Sequence, residues 1–116
     1  LFAVKQFNNQ TEENEIQANV RLALTTITKD IRKNPDQVTI QYNPEKILVI
    51  NNNEYKLVNN TIQKNGTELA THISNFNLEH PNNNKELLIV EIKSIPTKTG
   101  DTIELSSTFF LRGAGE

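Results

Sequence analysis

His72 and His80 are the only imidazoles in the chain. They stand in no His-x-x-x-His or Glu-rich spacing of the kind that brings several ligands to one metal ion, and they read as surface or half-buried structural residues. Glu12, Glu13 and Glu15 put three carboxylates close together in sequence. Adjacent positions on a helix point in different directions, so these residues read as a solvated acidic face rather than an acid pair. Glu79 and Glu86 flank an Asn-rich loop, but the Asp-x-Asp clustering that calcium favours is missing. No Gly-x-Ser-x-Gly occurs, and no serine has evident His and Asp companions. Asn65-Gly66 reads as a hairpin turn, because the Gly-x-x-x-x-Gly-Lys of a phosphate loop is absent. Asn9, Asn59 and Asn65 each begin an Asn-x-Thr triplet, which a chain rich in Asn and Thr produces by chance. The chain has no cysteine, which removes thiol catalysis, disulfides and thiolate metal sites together. The expectation is a non-enzymatic protein with no metal and no cofactor.

Composition narrows the class further. A length of 116 residues suits one domain, 1–116, with a modest core. Hydrophobic residues make up 35% and the mean hydropathy is -0.54, so the polar coat is thick. Twelve basic against fourteen acidic residues give a net charge of -2. Phosphate neutralisation carries most nucleic-acid affinity, so this balance argues against such a partner. No apolar run approaches the ~20 residues that span a bilayer. The chain opens Leu1-Phe2-Ala3-Val4 without a Met and is read as the downstream part of a longer one. Its bias to Asn, Lys and Ile suggests an AT-rich bacterial genome.

What would position these residues is one helix and a set of strands. Ile16, Val20, Leu24, Ile27 and Ile31 recur at steps of three and four with Ala23 beside them, which predicts a single apolar stripe on a helix. Lys29, Arg32 and Lys33 suit the negative end of its dipole, and Asn34-Pro35 stops it. Its start stays open between about residue 1 and residue 11, where Thr11 would cap. Leu1, Phe2, Val4 and Phe7 would extend an apolar surface toward other subunits. After Pro35 the period falls to two, with a β-rich part over about 36–112. Val38, Ile40 and Tyr42 alternate, Asn51–Asn53 and Asn59-Asn60 read as turns, and Leu87–Ile95 is the strongest strand. Residues 69–80 read as a helical turn followed by a strand. The fold class expected is α+β: one long N-terminal amphipathic helix packed on an antiparallel sheet of about four to seven strands.

Several segments, in order, resemble one family. Leu24-Thr25-Thr26-Ile27-Thr28-Lys29-Asp30-Ile31-Arg32 is similar to the helix signature of the J-type minor pseudopilins and the related W-type minor pilins, apolar-x-x-Asp-apolar-Arg before a loop. Glu54-Tyr55-Lys56-Leu57 with Thr61-Ile62-Gln63-Lys64 resembles that family's hairpin, a Tyr-x-apolar strand followed by an apolar-x-basic strand. Leu69–Phe76, Leu87–Ile95 and Ile103–Arg112 resemble its later segments. The family's leader, cleavage junction and apolar first half of the helix are not among the 116 residues.

The resemblance implies a type IV pilin-like fold and a structural role: a minor pilin or pseudopilin that primes or caps a type IV pilus or type II secretion-like filament. It implies partners that are other pilin or pseudopilin subunits. It also implies a bacterial membrane anchor upstream, with the head outside the cytoplasm, at the cell surface or in the periplasm. The alternative from another class is a small exported adhesin or binding module with a helix-plus-sheet fold and no catalysis.

Overall fold

The computed structural model describes residues 2–111, with side-chain surroundings from residue 12 onward. Helix α1 spans Phe2–Lys33, so the longer of the two expected helices is the one formed, and Thr11 lies inside it rather than at its start. It ends as Asn34-Pro35 requires: the Asn34 N–H closes onto the Asp30 and Ile31 carbonyls, each at 3.1 Å, and the chain leaves the helical path. Arg32 and Lys33 occupy the last turn.

Eight strands follow, one more than the upper expectation. They are β1 Val38–Gln41, β2 Ile47–Ile50, β3 Asn53–Val58, β4 Thr61–Lys64, β5 Thr67–Ala70, β6 Ile73–Glu79, β7 Leu87–Ser94 and β8 Glu104–Phe110. They form two antiparallel sheets rather than one, β1-β2-β3-β4-β5 and β6-β7-β8, each a simple meander. Asparagine explains how such short strands reverse. Asn59 and Asn60 both take positive φ in the two-residue turn between β3 and β4, and Asn65-Gly66 does the same between β4 and β5. Those are the type I′ requirements of a tight hairpin, and Asn tolerates the left-handed region better than other side-chain-bearing residues. Asn51, Asn82 and Asn83 also have positive φ, so the Asn runs act as turn chemistry.

The segment 69–80 departs from expectation. No helical turn forms there: β5 ends at Ala70, His72 turns the chain with φ of 64°, and β6 begins at Ile73. Leu69, Ile73 and Phe76 fall four and three apart, which imitates a helix, but the spacing straddles a bend between two strands. That bend is also where the single expected sheet divides. The Ile73 N–H donates to the Asn60 carbonyl at 2.9 Å and ties the start of the second sheet to a turn of the first.

The helix packs against β5, β7 and β8 and so touches both sheets. Val20, Ile27, Ile50, Tyr55, Ile73 and Val90 belong to one buried cluster drawn from the helix and both sheets. Along β7 every second side chain is buried, with Leu88, Val90 and Ile92 fully enclosed. At about 1.5–3 kcal/mol for each fully buried large aliphatic side chain, this cluster is the main source of the fold's stability.

Candidate functional site

The predicted helix stripe is where the structure concentrates contact. Ile16, Val20, Ala23, Ile27 and Ile31 are all at most 2% exposed. Leu24 is half-buried at the edge of the same cluster. The five stripe residues therefore come together as the helix's inward face, against the sheets. Leu1 lies outside the described residues, and Phe2, Val4 and Phe7 lie outside those whose side chains are described.

A polar site closes the C-terminal end of this face. Asp30 sits beside Ile27 and Ile31 on the inward side and is only 9% exposed. A carboxylate there needs partners, because an unpaired buried charge is strongly disfavoured. It has three. The Tyr55 hydroxyl donates to Asp30 Oδ2 at 2.7 Å, and Asn53 Nδ2 donates to the same oxygen at 3.0 Å. Asn34 Nδ2 donates to Asp30 Oδ1 at 3.2 Å. The network continues outward: Asn65 Nδ2 donates to Asn53 Oδ1 at 2.9 Å, and Asn65 Oδ1 accepts from the Glu54 N–H at 2.8 Å. Helix end, strand β3 and the β4–β5 turn are thus joined through one carboxylate. Burial, then the hydrogen bond to Asp30 and its negative charge, push the Tyr55 phenol well above its ordinary value. Tyr55 stays a neutral donor, which is the form the site needs. No buried side-chain nitrogen or oxygen among the described residues lacks a partner.

The residues considered for chemistry are dispersed. Glu12 meets Lys98 at 3.7 Å, and Glu13 accepts from Thr99 Oγ1 at 3.4 Å, so two of the three N-terminal carboxylates reach the loop before β8. Glu15 instead lines an open cleft of about 270 Å³ with Ala18, Asn19, Leu22, Thr71 and His72. His72 Nδ1 lies 2.8 Å from Thr71 Oγ1, and His80 Nδ1 lies 2.7 Å from the Leu87 carbonyl, at opposite ends of β6. Glu79 and Glu86 are both exposed beside the Asn-rich loop. Among the described residues, no three His, Cys, Asp or Glu side chains gather as a metal set. No described helix is long and apolar enough to cross a membrane.

In the sequence Asp30 and Tyr55 belong to two separate motifs, and nothing in either brings the two side chains together. The available signal was Asp30 itself, an acidic residue on the apolar side of a helix. Asn53 and Asn65 fall in turn patterns, and nothing in a turn pattern reveals a side-chain relay. No protein-family model, curated protein or solved structure matches the chain.

Proposed function

We propose that the chain is the head of a pilin-like minor subunit, a minor pilin or pseudopilin that works by packing against other such subunits in a filament. The observation that carries the reading is the Asp30–Tyr55 contact. The two residues that give the resembling motifs their character, the Asp of the helix and the Tyr of the hairpin, are partners across the helix–sheet junction. The order of elements supports the same reading: a long leading helix, then antiparallel strands interrupted only by the short 3-10 turn Pro81–Asn83 among the described residues. In this role the helix carries the position of the subunit and the strands present the surface. The Asp30 network makes helix and first sheet move together. Neither the cleft nor the dispersed carboxylates assemble the nucleophile, base and oxyanion donors that catalysis would need.

The test begins with the gene upstream of Leu1. The reading expects a short basic leader and ~20 apolar residues continuous with α1. The encoded protein, expressed in its own bacterium, should fractionate with membranes and cross-link to other pilin-like subunits, and its deletion should reduce filament number. An upstream region without an apolar segment, or a deletion that leaves filaments unchanged while abolishing attachment to a surface, would replace this reading with the exported adhesin.

A further inference from the structure

The second sheet has two edges, and they differ. Along β6 the outer edge is taken at both ends: the Ile73 N–H donates to the Asn60 carbonyl, and the Leu78 carbonyl accepts from Lys46 Nζ at 3.1 Å. Among the described residues β7 is the only strand paired with β8. The register fixes which of its groups face outward. The Ser94 N–H donates to the Ile103 carbonyl, and the Leu111 N–H donates to the Glu86 carbonyl. The β7–β8 pairing runs unbroken between those two bonds, from Glu104 opposite Lys93 to Phe110 opposite Leu87. Hydrogen-bonded pairs alternate in an antiparallel ladder, so the odd residues of β8 bond to β7. The N–H and C=O groups of Glu104, Ser106, Thr108 and Phe110 therefore point away from it, and no described residue bonds to them.

Natural sheets blunt such an edge with short strands, charges or proline. The two edges of the first sheet are four-residue strands, β1 and β5. Strand β8 has seven residues, and after Glu104 it carries neither charge nor proline. It ends in Phe110, which is 82% exposed.

We propose that β8 is a docking edge for a second copy of this chain, pairing antiparallel with the partner's β8 about a two-fold axis at Ser107. The sequence of the strand selects this occupant and this register. Centring on Ser107 sets Glu104 opposite the partner's Phe110 and Ser106 opposite the partner's Thr108. All four outward-facing residues of each strand are then hydrogen-bonded. Leu105 meets the partner's Phe109 on the inward face, in a close non-hydrogen-bonded pair of the kind that favours aliphatic–aromatic contact. On the outward face Ser106 meets the partner's Thr108, and Glu104 lies opposite the partner's Phe110. The result is a continuous six-stranded sheet with both helices on one side. This pairing stands independently of the filament reading.

Ser107 sits on the axis, where facing Cα atoms are about 4.5 Å apart, within the range a disulfide spans. The chain has no cysteine of its own, so single substitutions report cleanly. Sedimentation equilibrium of the 116-residue chain should show a dimer that grows with concentration up to about 1 mM. Under mild oxidation Ser107→Cys should form a disulfide-linked dimer faster than Ser106→Cys, although residue 106 is the more exposed. Thr108→Pro removes one outward donor from each strand and none from the β7 ladder. It should keep the wild-type circular dichroism and weaken the dimer by on the order of tenfold or more. A chain that stays monomeric throughout, Ser106→Cys linking as fast as Ser107→Cys, or a folded Thr108→Pro variant with an unchanged dimer would each overturn the proposal.

Discussion

The two ends of the helix's packed length are held by opposite kinds of polar contact. At the C-terminal end Asp30 is buried and takes hydrogen bonds from Tyr55, Asn53 and Asn34. At the other end Glu12 meets Lys98 across 3.7 Å, with side chains 31% and 56% exposed. Between them Val20, Ala23, Ile27 and Ile31 pack into the buried cluster. The difference follows from solvent. A surface pair is screened and contributes about 0–1 kcal/mol, whereas hydrogen bonds to a buried charge are worth roughly 1.5–3 kcal/mol each and are costly to leave unmade. The helix is therefore pinned where it meets the β3 hairpin and only tethered where it approaches the loop before β8.

The comparison can be broken from the middle outward. Ile27→Asp would place an unpaired charge in the fully enclosed stretch of the stripe and should unfold the domain, a loss of about 4 kcal/mol or more. A melt that barely moved would mean that the helix does not pack as described. Asp30→Ala takes the acceptor from the Tyr55 hydroxyl and the Asn53 amide, while Asn34 Nδ2 keeps the residue-30 carbonyl at 3.2 Å, and should cost about 3 kcal/mol by chemical denaturation. Glu12→Gln should cost no more than about 0.5 kcal/mol, and the difference should vanish at high salt.

Alkaline titration sharpens the contrast, because only the buried end contains a shifted phenol. The folded-state value of Tyr55 lies above its unfolded value, so the native state holds its proton longer. Its contribution is complete below about pH 10, the ordinary phenol value, and is lost as pH rises toward the folded value, at up to about 1.4 kcal/mol per pH unit. Unfolding free energies measured across this range should show that descending limb in the wild type, and Tyr55→Phe should remove Tyr55's share of it.

How much of this was legible in the sequence depends on the range of the interaction. The stripe from Ile16 to Ile31 was readable because a helix repeats every 3.6 residues and buries one face. The hairpin turns were readable because Asn59-Asn60 and Asn65-Gly66 accept the backbone that tight reversals demand. Strand number is harder to read from the sequence because β1, β2, β4 and β5 have four residues each, too few to establish alternation. The split into two sheets turns on the bend at His72, whose positive φ no residue pattern announces. The Asp30 site joins residues 25 positions apart in the chain, and the open edge at β8 depends on strand order. Both are properties of the tertiary arrangement, and neither has a local signature.

A double-mutant cycle on Asp30 and Tyr55, using Asp30→Ala, Tyr55→Phe and the pair, measures the pin itself rather than the cost of truncating either side. If the carboxylate and phenol join helix to sheet as described, the coupling energy should fall at about 1–3 kcal/mol. A coupling within about 0.3 kcal/mol of zero, as expected for the exposed Glu12–Lys98 pair, would contradict the claim that this contact fixes the helix to the sheet.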